Sequence, residues 1–290
     1  MKNHRIKPYF KGWYFKQLID NATIAFIPGF QESEQGKTAF IQVITQSTSH
    51  FFTFPYDSFS FNKEPFIIQI ETNVFSEHGI QINLTDQYFS CKGKLIYGKY
   101  DKPEKNIMGP LKYLPFLECS HEIISMKHRI QGKLMIDSKE VDFTDGIGYI
   151  EGDSGSSFPK KYIWTQCNCF KKIDCSITAA AATIPILKIP IPGCFCIIHH
   201  QNNHYLFASY YGAKITSCKN NYLAIKQGRF FFDAVVQNRS SNNLIAPKLG
   251  NMNRQITESA KCNIRYRLFE NKELVFDLKS PFASFELVNN

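Results

Sequence analysis

The chain lacks the sequence features of several large functional classes. No stretch of its 290 residues approaches the roughly 18 uninterrupted apolar residues of a membrane-spanning helix, because Pro185, Pro190, Pro192 and Gly193 interrupt the most apolar segment. The glycines form no phosphate-binding fingerprint before a helix, and neither a Gly-x-Ser-x-Gly turn nor a catalytic Cys–His signature is present. Arg-rich runs and RNA-binding aromatic motifs are missing as well. Nucleotide-dependent enzymes, serine hydrolases and nucleic-acid-binding proteins are therefore not expected.

The N-terminal sequence MKNHRIKPYFKGWYF has no apolar core of signal-peptide length. The nine cysteines are an odd number, and the CxC pairs Cys167/Cys169 and Cys194/Cys196 lie in alternating segments that are typical of buried or half-buried thiols. The histidines at positions 199–204 are too irregular to complete a metal-ligand set. We therefore expect a cytoplasmic protein with reduced cysteines, no metal site and no transmembrane segment.

Composition favours a globular β protein. Aromatic residues make up 14% of the chain, with 26 Phe and 14 Tyr, and hydrophobic residues make up 43%, which excludes a disordered chain. The net charge of +9 is spread along the sequence and therefore indicates no particular anionic partner.

Short alternating segments between turn residues predict an all-β protein built from antiparallel barrels or sandwiches, with little helix. The run Thr178–Thr183 has helix-forming alanines but reads equally well as a strand, and Gln237–Asn251 reads as a long loop. A turn-rich stretch near Gly146–Gly155 divides the chain into two predicted domains, residues 1–148 and 149–290.

The segment from Asp145 to Phe170 concentrates ionisable and aromatic residues. It predicts a strand, a tight polar crossing and a second strand. Glu151 and Asp153 share a face if the strand persists, and Trp164 alternates within the second strand.

A second aromatic strand is predicted near the N-terminus. Alternation places Trp13 and Phe15 on one face and Tyr14 and Lys16 on the other. Lys16 reads equally well as a solvated strand residue.

Five motifs in this order and spacing make the chain resemble the tocopherol cyclase family along nearly its whole length. They are PYFKGWYFK (8–16), GPLKYLPFLECSHEIISMKHRIQGKL (109–134), DGIGYIEGDSGSSFPKKYIWTQCN (145–168), FASYYGAKI (207–215) and APKLGNMNRQITES (246–259). The resemblance implies two tandem lipocalin-like antiparallel β-barrels or sandwiches.

The resemblance also implies a reaction that needs no redox cofactor. A protonated acid donates its proton to the double bond of a prenylated quinol, and the phenol oxygen captures the resulting cation inside a dry, aromatic-lined cavity. The family commonly has Trp where this chain has Ser154.

Two sets of residues are candidates for acid or base chemistry. Glu151 and Asp153 are the first, because adjacent carboxyls shielded from water favour retention of a proton; alternatively, they cap a turn and pair with nearby lysines. His121 and Glu118 are the second, although a histidine at such a position is more often a hydrogen-bonded core residue.

Aromatic and amide side chains are candidates for substrate binding. Large aromatic residues also fill hydrophobic cores, so only some of them need contact a ligand. The candidates are Trp13, Tyr14, Phe158 and Trp164 for the prenyl chain, and Gln166 and Asn168 for the polar head group.

We therefore expect a tocopherol-cyclase-like enzyme, a cofactor-free intramolecular lyase or isomerase acting on a hydrophobic prenylated small molecule that it collects by peripheral contact with a membrane. The alternatives are a lipocalin-like carrier of lipids or quinones, which binds without catalysis, and an isoprenoid hydratase.

Overall fold

The computed structural model describes residues 7–20, 22–114, 117–186, 189–239 and 242–289. Antiparallel strands dominate these residues, and the helices among them are three short 3-10 turns at Tyr56–Ser58, Gly109–Tyr113 and Ser209–Tyr211. None of these helices has the length and apolar character that a membrane span requires. The expectation of an all-β protein with little helix is confirmed.

The first sheet has 12 strands. They are β1 (Tyr9–Ile19), β2 (Ala22–Ser33), β3 (Gly36–Thr45), β4 (Ser49–Pro55), β5 (Phe59–Lys63), β6 (Phe66–Ile70), β7 (Asn73–Ser76), β8 (Gly79–Thr85), β9 (Ser90–Tyr97), β10 (Cys119–Ile136), β11 (Lys139–Asp142) and β12 (Gly146–Gly155). Their order is β4-β3-β2-β1-β12-β10-β9-β8-β7-β6-β5, and β11 pairs with β10. The pairing of β1 with β12 places the two acid- and aromatic-rich motifs side by side.

The second sheet has 10 strands. They are β13 (Tyr162–Cys167), β14 (Cys175–Ile186), β15 (Ile189–His200), β16 (Asn203–Ala208), β17 (Lys214–Lys219), β18 (Tyr222–Gln227), β19 (Phe230–Arg239), β20 (Asn242–Lys248), β21 (Asn251–Glu270) and β22 (Glu273–Val288). Their order is β16-β15-β14-β13-β22-β21-β19-β18-β17, and β20 pairs with β21. In this sheet β13 lies between β14 and β22.

The chain forms two compact units, each built from separate segments. Unit 1 contains the described residues up to Lys102, with Ile123–Ser157 and Ile245–Arg254. Unit 2 contains the described residues of Pro103–Glu122 and Phe158–Leu244 and those from Gln255 onward. Each unit has its own hydrophobic core. The division into domains 1–148 and 149–290, and the closure of each sheet into a lipocalin-like barrel, stay predictions.

Side-chain alternation explains why these segments form strands. In β8, Ile80, Ile82 and Leu84 are buried while the residues between them are exposed, which is the pattern of a strand with one face on the core. In β1 both faces are buried: Trp13 and Phe15 belong to the unit 1 core, and the residues between them are also excluded from solvent. A strand that is buried on both faces has to accommodate its polar residues inside the protein.

Three local expectations from the sequence differ from the structure or are resolved by it. The strand, polar crossing and second strand expected within Asp145–Phe170 are present as β12, residues 156–161 and β13, but the crossing begins after both acids, because β12 continues through them and ends at Gly155, whose φ is 152°. The run Thr178–Thr183 is part of β14, which settles the ambiguity in favour of a strand. The long loop expected at Gln237–Asn251 is wrong, because β19 extends to Arg239 and β20 occupies Asn242–Lys248.

A buried histidine lies in a small polar cluster within unit 1. The His128 ring contacts the rings of Tyr97 and Tyr100 at centroid distances of 4.4 and 4.9 Å, and its Nδ1 lies 2.9 Å from Ser125 Oγ. His128 Nε2 has no hydrogen-bond partner among the described residues. Burial lowers the pKa of His128 from its ordinary value of 6.5 to about 3, so the ring is neutral at physiological pH.

All nine cysteines are free thiols in the structure, and six of them are buried. Cys194 and Cys196 both belong to the unit 2 core, as their alternation predicts. Cys218 is exposed.

Candidate functional site

The pairing of β1 with β12 in unit 1 organises the first acid-rich face. Tyr14 lies directly opposite Glu151, and Gly12 lies opposite Asp153. Directly opposed residues of antiparallel strands point to the same side of a sheet. The structure therefore brings Glu151, Asp153 and Tyr14 together on one face, in agreement with the alternation in the sequence.

Glu151 is held by a hydrogen bond on this face. The hydroxyl group of Tyr149 donates to Glu151 Oε2 at 2.5 Å, and both side chains are buried. Lys16 lies opposite Tyr149 and is 1% exposed, so the interpretation of Lys16 as a solvated residue is wrong. A buried carboxyl, phenol and ammonium group on adjacent strands can exchange protons with one another or with a ligand.

Trp13 lies on the other face of β1, in the unit 1 core, where its ring contacts Phe61 at a centroid distance of 4.7 Å. It lies opposite Gly152. A Cβ atom at Gly152 would come within 2.9 Å of Trp13 Cδ1, so the glycine makes room for the indole. Trp13 therefore fills the hydrophobic core, which was the alternative to a role in substrate binding. Its contact with a substrate stays a prediction.

A second polar face lies in unit 2, on β13 and its two neighbours. Trp164 lies opposite Ala180 on β14 and Glu286 on β22. Gln166 lies two residues further along, on the same face, between Thr178 and Ser284. All of these polar residues are buried, and the alternate residues of β13 point into the unit 2 core.

Glu286 and Glu258 form the acidic part of this second face. They are directly opposed on β22 and β21, and their exposed fractions are 9% and 0%. The hydroxyl group of Tyr162 donates to Glu286 Oε2 at 2.6 Å. Two buried carboxyls, a phenol and an indole therefore occupy neighbouring positions on three strands.

Two other candidates in unit 2 have ring contacts with residues of these strands. The His121 ring stacks on Phe195 at a centroid distance of 5.3 Å. Phe195 is the β15 neighbour of Ala180, so His121 contacts the side of the sheet that carries Trp164. Phe158 makes an edge contact of 6.1 Å with Tyr162.

Two further candidates lie outside the strands. Asn168 lies just beyond the end of β13 and is 1% exposed. Glu118 immediately precedes β10 and is half-buried. The functional roles of these residues stay predictions.

Sequence reasoning missed Tyr149, Glu258 and Glu286. One signal was present in the segment Ser284–Leu287, where a single acid stands between two apolar residues of a strand. Phe285 lies in the core and Leu287 packs against it, so Glu286 points to the opposite face. Its opposition to Glu258 depends on the register of β21 and β22, which alternation alone does not specify.

Comparison with known proteins supports one family. The sequence profile of the tocopherol cyclase-like family matches residues 76–288. A probable chloroplastic tocopherol cyclase of Oryza sativa subsp. japonica is 28% identical over 86 residues, which are 30% of this chain and 18% of the rice protein. The matched region is thus a small part of that relative.

Two solved structures share the fold at very low sequence identity. Kievitone hydratase from Nectria haematococca is 9% identical, with a TM-score of 0.55 over 98% of this chain and 89% of the hydratase. CghA with Sch210972 is 8% identical, with a TM-score of 0.55 over 97% of this chain and 89% of CghA. Since the family profile covers most of the sequence, the chain belongs to the tocopherol cyclase-like family.

Proposed function

We propose that this protein catalyses an acid-initiated ring closure or isomerisation of a hydrophobic, prenylated quinol-type molecule without a redox cofactor. Membership of the tocopherol cyclase-like family supports the reaction class. The buried opposition of Glu258 and Glu286, beside Tyr162 and Trp164, is the observation that carries the proposal. A prenylated substrate partitions into lipid, so the enzyme, in the cytoplasm, collects it by peripheral contact with a membrane.

The carboxyl pair is suited to act as a general acid. Directly opposed residues have Cβ atoms about 5 Å apart, and two buried carboxylates on such neighbouring side chains repel each other. In this proposal the pair shares one proton. The hydrogen bond from Tyr162 favours the ionised form of Glu286, which leaves the proton on Glu258. Glu258 is accordingly the proton donor in this proposal.

The proton and electron count of the reaction closes without a co-reactant. Glu258 transfers its proton to one alkene carbon of the prenyl chain, and the adjacent tertiary carbon becomes a cation. The phenol oxygen of the same molecule forms a bond to that cation and releases its proton to the carboxylate pair. The product is an isomer of the substrate, and the acid is regenerated.

Aromatic and amide groups on the same face suit the intermediate. The Trp164 indole presents a π face that stabilises a nearby cation by roughly 0.5 to 2 kcal/mol. Gln166, two residues along the same strand, can hydrogen-bond the polar head of the quinol. These contacts hold the phenol oxygen near the developing cation, which is the orientation that ring closure needs.

Unit 1 provides the second candidate for the acid. Glu151 is buried and bonded to Tyr149, and Asp153 follows on the same face. Variants of both units therefore belong in one series of measurements: Glu258→Gln, Glu286→Gln, Glu151→Gln and Asp153→Asn. Loss of catalysis only in the last two would move the acid to unit 1.

The test is turnover of a geranylgeranylated hydroquinone, followed by chromatography and mass spectrometry under oxygen-free conditions. A product of unchanged mass and new retention time supports cyclisation, whereas addition of one water indicates a hydratase and unchanged bound quinol indicates a carrier. Glu258→Gln should lower turnover by roughly two to four powers of ten with little effect on binding. Glu273→Gln, an exposed substitution on the same strand as Glu286, is the matched control and should have no effect. Full activity of Glu258→Gln and Glu286→Gln would refute the assignment of the acid.

A further inference from the structure

Unit 2 has a hollow of about 700 Å³ on the side of β18, β19 and β21 that faces away from its core. Phe232 and Leu268 belong to the core, and the neighbouring Phe231 and Phe269 point to the opposite side. Phe231 and Phe269 are directly opposed, half-buried, and 6.0 Å apart between ring centroids. The hollow thus has an aromatic wall.

The floor of the hollow is a neutralised ion pair. Asp233 is 1% exposed and accepts two hydrogen bonds from Arg267, at 2.9 and 2.6 Å. Tyr222 donates a third hydrogen bond to Asp233 at 3.3 Å. Ala224 lies opposite Asp233 on β18.

Two hairpin turns form one end of the hollow. Gly228 and Arg229 connect β18 to β19, and Asn271 and Lys272 connect β21 to β22. The backbone N–H of Asn271 donates to the carbonyl oxygen of Arg229 at 2.9 Å, so the two turns are held together. Arg229 pairs with Glu270 at 2.6 Å, and its charge is therefore compensated.

Two cations of the hollow remain uncompensated. Lys226 and Lys272 line it, and neither has an acidic partner in the part of the chain that the structure describes. Lys226 lies directly opposite Phe231, whose ring is followed by that of Phe269 on the next strand. These three side chains form a row across the sheet, which begins with a free ammonium group and continues with two apolar rings. This order suits a ligand with an anionic head and an apolar tail.

We propose that this hollow binds an amphipathic organic phosphate, with the phosphate on Lys226 and Lys272 and the apolar tail on Phe231 and Phe269. Two separate ammonium groups provide several donors for the oxygens of one phosphate. The aromatic wall distinguishes such a ligand from inorganic phosphate, because burial of an alkyl chain adds affinity in proportion to the apolar area removed from water. A soluble alkyl phosphate and a lipid phosphate in a bilayer offer the same chemistry.

The experiment measures binding of the intact protein to two sources of this ligand. The soluble arm measures binding of decyl phosphate below its micelle concentration by calorimetry, with inorganic phosphate alongside. The membrane arm measures sedimentation of the protein with phosphatidylcholine vesicles that contain or lack phosphatidic acid. The variants are Lys226→Glu/Lys272→Glu, Phe269→Ala, and the matched control Lys92→Glu, which reverses an exposed charge on β9 of unit 1.

Binding in either arm that falls about tenfold or more in the double lysine variant, and not in Lys92→Glu, supports the site. The arm in which binding occurs identifies the source of the ligand. Phe269→Ala should weaken the binding of decyl phosphate and leave the binding of inorganic phosphate unchanged. Absence of binding in both arms, binding that the double variant retains, or equal affinity for inorganic phosphate and decyl phosphate would overturn the proposal. Far-UV circular dichroism of each variant verifies that it is folded.

Discussion

Replacing His128 by Gln should make the stability of the protein less dependent on pH between 7 and 5. His128 is 2% exposed, lies between two tyrosine rings, and has one ring nitrogen without a hydrogen-bond partner among the described residues. Protonation would place a charge in a site that is shielded from water, and burial therefore lowers the pKa of His128 to about 3. Gln has no charge in this range and removes the titration.

The sign and size of this pH dependence follow from proton linkage. The unfolded chain binds a proton at the ordinary pKa of 6.5 while the folded chain binds it only near 3, so acid favours unfolding. The stabilisation is complete above pH 6.5 and is lost progressively as the pH falls toward 3. Between pH 7 and pH 5 the loss attributable to His128 is about 2 kcal/mol.

Urea unfolding followed by tryptophan fluorescence at pH 7, 6 and 5 measures this difference. The wild type should lose about 2 kcal/mol more than His128→Gln over this interval, although the variant is less stable at pH 7 because it lacks the ring contacts. His78→Gln is the matched control, since the His78 side chain is 86% exposed, and it should follow the wild type. Identical slopes for the wild type and His128→Gln would refute the argument.

Two further predictions concern packing and the cysteines. Gly148→Ala should destabilise the protein by about 1 to 3 kcal/mol in thermal or urea unfolding, because the new Cβ would lie 2.0 Å from His128 Nε2; Gly12→Ala, where the nearest atom is 3.6 Å away, is the milder control, and equal effects would contradict the explanation. Thiol titration of the denatured protein without reductant should find all nine cysteines, and a reproducible shortfall of two or more would show that disulfides form.

The periodicity of the sequence was sufficient to predict the faces of the central strands. Alternation separated Trp13 and Phe15 from Tyr14 because side chains of a strand change sides at every residue. The burial of Lys16 was not predictable in the same way, since a lysine in a strand is normally solvated. Its position follows from β1 being covered on both faces.

The glycine-rich motif after Ile150 shows a different limit. Gly152, Ser154 and Gly155 are typical turn residues, and they suggested a crossing next to the acids. In the structure Gly152 is a strand residue that leaves space for Trp13 on the neighbouring strand. A glycine selected for packing and a glycine selected for a turn look the same in one sequence.

The acids of unit 2 illustrate why site residues are harder to predict than strands. Tyr162 and Glu286 are separated by 124 positions and meet through a hydrogen bond. Glu258 meets Glu286 through strand register, which depends on bulges in β21 and β22 as well as on hydrophobic alternation. The tocopherol cyclase motifs identified the family, whereas these side-chain neighbours required the fold.

The most direct test of the central claim is solvent-deuterium labelling of the product. Turnover of the geranylgeranylated hydroquinone in D2O should place one non-exchangeable deuterium on the prenyl carbon that the acid protonates, in a product that is otherwise an isomer of the substrate. Glu258→Gln should remove this labelled product while the bound quinol remains detectable by native mass spectrometry. A cyclised product without carbon-bound deuterium, or undiminished labelling by Glu258→Gln, would contradict protonation of the alkene by the Glu258–Glu286 pair.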